Sequence, residues 1–328
     1  PGWNQFGKAK VQYLPDSEYK KKTFCRIVDE IKPDLLYVSS LFSVAHVLPA
    51  LSISRKKNLP LLLAPRGELN DTALSKKRWK KRLYISFLVA GGFLKNVSFQ
   101  ATSEQEKANI AKHLKVRPDK IYLLPNVPAA PLQKAETGKT PGKIRICFVG
   151  RIVDNKNLLT AIAAVSSVGF DAVLDIYGSK EDPEYWSKCE DLIRQAPKNV
   201  RINYKGVLNS WAMNQAYHDY DCLISPTEFE NYGQAIVEAM LHDVPVIISE
   251  GTTPWDDVRL SNAGFVCSLK NRQEFSDAVM TIGMMDQAAY AGLIQRLRDY
   301  CRSKFDIQKL KNLYLSALGA ICQGSKKG

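Results

Sequence analysis

Closely spaced cysteine pairs are missing from this chain. Seven cysteines are present (Cys25, Cys147, Cys189, Cys222, Cys267, Cys301 and Cys322), scattered singly, odd in number and without a C-x-x-C motif. That pattern disfavours a disulfide framework and a zinc site, and it suits a reducing cytosol. The four histidines, His46, His113, His218 and His242, have no metal-ligand spacing, so no metal site is expected. Long apolar runs are missing as well. The longest, Ile85 to Leu94, falls short of the about 20 residues that cross a bilayer. No strand-like run is followed by G-x-G-x-x-G, which disfavours a dinucleotide oxidoreductase. Gly138-Lys139-Thr140 has the form of a phosphate-loop ending, but the position of the companion glycine holds Gln133 and that reading fails.

What is present is ordinary globular composition, 45 % apolar and 24 % charged, on a length of 328 residues that suits two domains. The charge is not ordinary. Lys and Arg number 46 against 33 Asp and Glu, a net +13 that draws the chain towards polyanions, anionic membrane surfaces or phosphorylated substrates. Nucleic-acid binding has only this charge behind it and is not expected. The densest block is Lys76-Lys77-Arg78-Trp79-Lys80-Lys81-Arg82, followed by Leu83, Tyr84, Ile85, Phe87 and Leu88. Basic residues beside aromatics on a helix fit a membrane-surface element. The alternative is a solvated helix face whose aromatics belong to the core.

Short runs rich in Val, Ile and Leu alternate with helix-length amphipathic stretches. Strands are expected at Lys10–Leu14, Asp34–Ser39, Pro60–Ala64, Val97–Ala101 and Lys120–Leu124, then at Arg145–Val149, Ala172–Tyr177, Val200–Tyr204, Asp221–Ile224 and Val244–Ile248. Helices are expected at Phe42–Ser54, Asp71–Leu94, Lys156–Ser167, Pro183–Gln195, Ser210–His218 and Gly233–Leu241, and the tail from Asp286 reads as helices only. Ser103-Glu104-Gln105-Glu106 is a capping box that starts a helix running to about Leu114. Strand–helix alternation predicts an α/β chain with a parallel sheet in each half, two doubly wound domains with a ligand cleft at the carboxyl ends of their strands. Turn residues fill the stretch after Pro125, giving domains over 1–128 and 143–328 joined by a linker over 129–142, with the terminal helices as candidates to pack back on the first domain.

Two stretches carry chemistry. In Val149-Gly150-Arg151-Ile152-Val153-Asp154-Asn155-Lys156, two cations follow a strand end and precede a helix start. Amides, helix dipole and side-chain charge together hold anions there, although two basic residues in one loop are as easily solvated. The second stretch runs from Pro226 to Glu238. A strand ends at Ile224, a loop carries Glu228 and Glu230, Gly233 permits close backbone approach, and Glu238 lies more than a turn into a helix. Acidic residues near a helix start complement its dipole, which explains Glu228 and Glu230 singly but not Glu238 among Ile236, Val237 and Met240.

Together these stretches resemble family 4 retaining glycosyltransferases of two-Rossmann-domain (GT-B) architecture, the group 1 glycosyl transferases. Their signature is a Gly-Arg…Lys loop followed by two glutamates with seven residues between them, here Gly150-Arg151…Lys156 and Glu230…Glu238. Ser249-Glu250-Gly251-Thr252-Thr253-Pro254-Trp255 is similar to the S-D-x-T-P-W loop of bacterial polysaccharide-building members. Pro65-Arg66-Gly67-Glu68-Leu69 and Pro125-Asn126 are similar to their P-R-G-x-L and closing P-N segments.

The resemblance implies a metal-independent enzyme that moves a hexose-type sugar from a UDP- or GDP-sugar to a saccharide or lipid-linked saccharide acceptor, in capsule, lipopolysaccharide or exopolysaccharide synthesis. Arg151 and Lys156 would hold the diphosphate and Glu230 would contact the donor sugar, these three being the catalytic candidates. Glu238 would accept from the ribose, and Gly150 with the amides of Asn231, Tyr232 and Gly233 would line the phosphates. Main chain near Gly206 and Val207 would hold the base. Arg66 would meet the acceptor or a donor phosphate, or be structural. A lipid-borne acceptor favours the membrane reading of Lys76–Arg82 and a cytoplasmic, peripheral location at the inner face of the plasma membrane. Three departures stand out: no opening strand and Gly-rich loop before Lys10, Ser39-Ser40 where relatives carry His, and His242-Asp243 in place of Gly. The first leads to the expectation of an incomplete first domain, and to the alternative of a non-catalytic nucleotide-sugar-binding scaffold.

Overall fold

The computed structural model describes residues 2–75, 77–127 and 138–324. They fall into two compact units, Pro1–Pro125 with Gln308–Gly328, and Asn126–Ile307. Most of the expected linker over 129–142 lies outside the described residues, as does Lys76 of the basic block. No helix among the described residues is long and apolar enough to cross a membrane.

The first unit opens with a hairpin of β1 (Asn4–Phe6) and β2 (Ala9–Val11), followed by α1 (Lys21–Ile31). Four parallel strands then pair in chain order: β3 (Leu36–Ser39), β4 (Leu61–Ala64), β5 (Val97–Ala101) and β6 (Ile121–Leu123). Between them run α2 (Val44–Lys57), α3 (Asp71–Ser75), α4 (Arg78–Ala90) and α5 (Glu104–Leu114). Every residue of β4 and β5 is buried, as strands covered on both faces must be.

The second unit alternates β7 (Lys143–Val149), α6 (Leu158–Ser166), β8 (Asp171–Tyr177), α7 (Pro183–Arg194), β9 (Val200–Gly206), α8 (Ser210–Ala216), β10 (Cys222–Ser225), α9 (Gln234–Leu241), β11 (Val246–Ser249) and β12 (Phe265–Cys267), then adds α10 (Gln273–Met284) and α11 (Gln287–Lys304). Its six parallel strands lie in the order β12-β11-β10-β7-β8-β9. Counted from its own first strand this is the doubly wound order in which winding starts centrally and reverses once. Helix α6 is apolar nearly all round and buries Leu158, Ala161, Ile162 and Val165. The last helix, α12 (Ile307–Gly324), belongs to the first unit, where Ala317 and Ile321 pack with Leu62 and Leu124. Each unit is thus a Rossmann-like α/β layer structure.

Several expectations need correction. Lys10–Leu14 is no strand of the parallel sheet: β2 ends at Val11 in an exposed two-stranded antiparallel hairpin, because Lys8, Lys10 and Gln12 make one of its faces polar and a parallel strand is covered on both. The helix expected over Asp71–Leu94 is broken, since Lys77 is left-handed (φ 55°) and α4 ends at Ala90 before Gly91-Gly92. α6 starts at Leu158 rather than at Lys156, which sits in a 3-10 turn, Asp154–Lys156, closed by left-handed Asn157 (φ 53°). α1 fills the helix-length stretch between the first two expected strands, whereas β12 and α10 were not among the expected elements. At His242-Asp243 the glycine is replaced without loss of the cap. Asp243 is left-handed (φ 58°), its N–H donates to Met240 O at 3.2 Å, and Val244 N–H donates to Ala239 O at 2.9 Å.

Candidate functional site

Strand order decides where the two motif stretches meet. β7 stands between β8 and β10, with Cys222 and Leu223 in register with Ile146 and Cys147. The loops leaving the carboxyl ends of β7 and β10 therefore emerge side by side, at the reversal where doubly wound sheets open a crevice. One loop carries Gly150, Arg151 and Lys156, and the other runs from Pro226 to Gly233.

Hydrogen bonds join the loops. The Asn155 carbonyl accepts from the Glu228 N–H at 2.9 Å and from the hydroxyl of fully buried Thr227 at 3.1 Å. One residue on, the Lys156 ammonium forms an ion pair with the Glu230 carboxylate, the side chains being 14 % and 24 % exposed. Water screens so sheltered a pair weakly. Glu230 also donates its N–H to Thr252 O at 2.8 Å. The Trp255 indole N–H donates to the Tyr232 carbonyl at 2.5 Å, and the two rings meet edge to face. The loop leaving β11 thereby braces the glutamate loop, a role that sequence similarity alone did not reveal. Tyr232 donates its hydroxyl to Asn126 O at 3.1 Å. Gly233 caps α9 in a left-handed conformation (φ 72°), where a Cβ would stand 3.0 Å from Ile236 Cδ1. Asn231 is half-buried in the same turn.

The other expected residues are placed differently. Arg151 turns to Glu181 at 3.1 Å, an exposed pair whose second carboxylate oxygen accepts from the Ser179 hydroxyl at 3.1 Å. Half-buried Glu238 accepts from Gln234 Nε2 at 3.0 Å, one turn back in α9, and not from the Lys156–Glu230 pair. Gly206 ends β9 with φ 77°, and Val207 after it is exposed. Gly178 was passed over in the sequence, although it follows a strand end directly. Its N–H donates to Gly206 O at 2.8 Å, and a Cβ on it would lie 1.8 Å from Gly150 O. Only glycine lets the ends of β7, β8 and β9 close up there.

In the first unit, Arg66 follows β4 in a left-handed conformation (φ 57°), exposed, and donates to the Tyr37 hydroxyl at 2.5 Å. Its neighbours hold the loop. Glu68 accepts from the Ser40 hydroxyl at 2.7 Å and from the N–H groups of Leu41 and Phe42 at 2.5 and 3.3 Å. The capping box is half realised: Ser103 accepts from Glu106 N–H at 3.2 Å, but the Glu106 carboxylate takes Gly67 N–H at 2.6 Å and both donors of Thr102 at 2.8 Å. The buried donors of Gly67 and Thr102 claim it in preference to the helix end. Burial, and then the Glu68 charge, pushes the Tyr84 hydroxyl up to about 12. No group of three or more His, Cys, Asp or Glu among the described residues is placed to hold a metal ion.

Comparison with known proteins bears on this geometry. Residues 130–294 match the model of the family described as glycosyl transferases group 1. An uncharacterized 41.2 kDa protein in the cps region of Klebsiella pneumoniae is 21 % identical over 304 residues, 87 % of this chain and 78 % of that one. The capsular polysaccharide biosynthesis glycosyltransferase CapM of Staphylococcus aureus is 29 % identical over 125 residues, 37 % of this chain and 32 % of its own. Matches to the curated relatives of higher identity thus span only 26 % and 32 % of those chains. The crystal structure of Anabaena Alr3699/HepE in complex with UDP and glucose superposes with a TM-score of 0.73 at 15 % identity, over 91 % of this chain and 82 % of that one. The likeness is one of fold.

Proposed function

The chain belongs to the glycosyl transferases group 1 family, and on that premise we propose that it is a retaining enzyme moving a hexose-type sugar from UDP or GDP to a saccharide or lipid-linked saccharide. The observation that carries this reading is the Lys156–Glu230 ion pair, formed between two loops at the winding reversal of the second sheet. A cation and a carboxylate held there suit the two ends of a breaking glycosyl–phosphate bond. As the bond lengthens, negative charge grows on the diphosphate and positive oxocarbenium character on the sugar. Lys156 and Arg151 meet the first, with Gly150 and the amides of Asn231, Tyr232 and Gly233 alongside, so that no metal is needed. Interactions that strengthen in the transition state accelerate the step. Glu230 contacts the sugar hydroxyls beside the reacting carbon, and Glu238, one turn deeper, accepts from the ribose. The main chain of Gly206 and Val207 holds the base.

In this reading residues 143–328 short of α12 are the donor domain and 1–128, with α12 packed on it, the acceptor-side domain, with Arg66 turned to acceptor or phosphate. The enzyme works in the cytoplasm as a peripheral protein at the inner face of the plasma membrane, in capsule, lipopolysaccharide or exopolysaccharide synthesis. The UDP and glucose bound by Alr3699/HepE and the polysaccharide role of CapM support the donor and acceptor classes. Calorimetry with UDP and GDP, run beside a donor-hydrolysis assay, tests the reading. Micromolar binding of one nucleotide with slow sugar release is expected. Binding with no release from any donor would favour a scaffold instead, and no binding would sink the donor site.

A further inference from the structure

The basic excess is confined to one of the two units. Pro1–Pro125 with Gln308–Gly328 contain 27 Lys and Arg against 10 Asp and Glu, whereas Asn126–Ile307 contain 19 against 23. The first unit is therefore at +17 and the second at −4. The first unit also carries an apolar stripe that its own fold leaves uncovered. On α4, Trp79, Leu83 and Phe87 recur every fourth residue and stand 64 %, 62 % and 50 % exposed. At 3.6 residues per turn they share an arc of about 80°. Ile85 and Leu88, on the opposite side, are buried in the core of the unit. Exposed Arg78 and Arg82 flank the stripe on one side and exposed Lys80 on the other. Lys81 turns inward instead, donating to the Ala73 carbonyl and lying over the Phe42 ring.

Single exposed apolar residues are commonplace, but three large ones in register on one helix are not an ordinary solvated face. Cations bordering such a stripe match the boundary between lipid phosphates and acyl chains, where an in-plane amphipathic helix sits. A nucleic-acid surface would use the cations and leave Leu83 and Phe87 without a role.

We propose that α4 is the membrane-docking face of the first unit: Trp79, Leu83 and Phe87 enter the acyl boundary of an anionic leaflet, while Arg78, Lys80 and Arg82 engage its phosphates. This rests on the peripheral placement proposed above and names its surface, but it needs none of the transfer chemistry. The remaining positive charge of the unit adds long-range attraction that salt weakens.

The test is co-sedimentation of the full chain with vesicles of phosphatidylcholine alone or with a third phosphatidylglycerol, with tryptophan emission followed in parallel. Binding to the anionic vesicles, with a blue shift that Trp79→Tyr diminishes, is expected. Leu83→Ser with Phe87→Ser should weaken binding at least tenfold, and Arg78→Gln or Arg82→Gln about fivefold each. All these side chains face solvent, so the variants should melt with the parent. Failure of the chain to bind anionic vesicles overturns the proposal. So does a Leu83/Phe87 double variant that melts normally and binds as well as the parent. Nucleotide calorimetry on the same samples separates the two readings. Vesicle binding without any UDP or GDP binding sinks the donor site and leaves this surface standing, and the converse sinks this surface alone.

Discussion

Lys156 and Glu230 are 74 residues apart in sequence and form one ion pair in space. Removing one partner of so sheltered a pair does two things at once: it takes away a group of the proposed chemistry, and it strands the opposite charge at a cost of up to about 3–5 kcal/mol. The two effects can be separated. Lys156→Ala or Glu230→Ala should each lower turnover by about 10²–10³, with a reduced melting temperature. The double variant Lys156→Met with Glu230→Gln should recover most of the stability and none of the turnover. Recovery of turnover in the double variant, or unchanged turnover in either single one, would sink the assigned roles. Each of these residues was visible in the sequence by its motif. The pairing of Arg151 with Glu181 was not, because it depends on how β8 lies beside β7.

Elements decide which residues can approach one another. Gly178, at the end of β8, is the clearest case: it has φ 148°, and an added Cβ would overlap the Gly150 carbonyl. Gly178→Ala is expected to cost about 3 kcal/mol through strain and clash, lowering the melting temperature by about 10 °C and weakening nucleotide binding through displacement of Gly150. Gly169→Ala, where nothing lies within 4 Å of the new Cβ, serves as the control and should melt within about 1 °C of the parent. Equal melting of the two variants would show that the three strand ends are not closed up as described. Central strands were easy to read where burial on both faces makes a plain apolar run, as in Leu61–Ala64; Val97–Ala101 was located to the residue although Ser98 and Gln100 interrupt it. β12 was not read, because three residues at the sheet edge carry no period. The break at Lys77 was also missed, because its left-handed backbone lies within a run of good helix formers.

At the scale of the molecule, the described cysteines follow the layering. All seven are thiols outside any disulfide; Cys147, Cys189, Cys222, Cys267 and Cys301 are buried, and Cys25 and Cys322 are partly exposed. Burial pushes the thiols of Cys189, Cys267 and Cys301 up to about 12, so at pH 8 they are protonated and unreactive as well as covered. Titration of the native chain with an aromatic disulfide reagent should find two fast thiols, and unfolding in guanidinium should raise the count to seven. More than two fast thiols in the native chain would mean that one of the layers opens readily. The charge partition belongs to this scale too. Net +13 was legible at once, and all of it already lies in residues 1–125; the packing of α12, from the far end of the chain, in the first unit carries four more lysines there and leaves the second unit acidic.

The sequence by itself determined the alternation of strands and helices, the parallel sheets that follow from it, and the spacing of Gly150-Arg151…Lys156 and Glu230…Glu238 that marks the family. These are local properties, written in periodicity and in residue order. Tertiary structure alone decided that Lys156 meets Glu230, that Trp255 braces Tyr232, and that Trp79, Leu83 and Phe87 remain uncovered. Each depends on which strand lies beside which and on which helix face the core takes up. Packing selects those among many arrangements that local pattern leaves equally open.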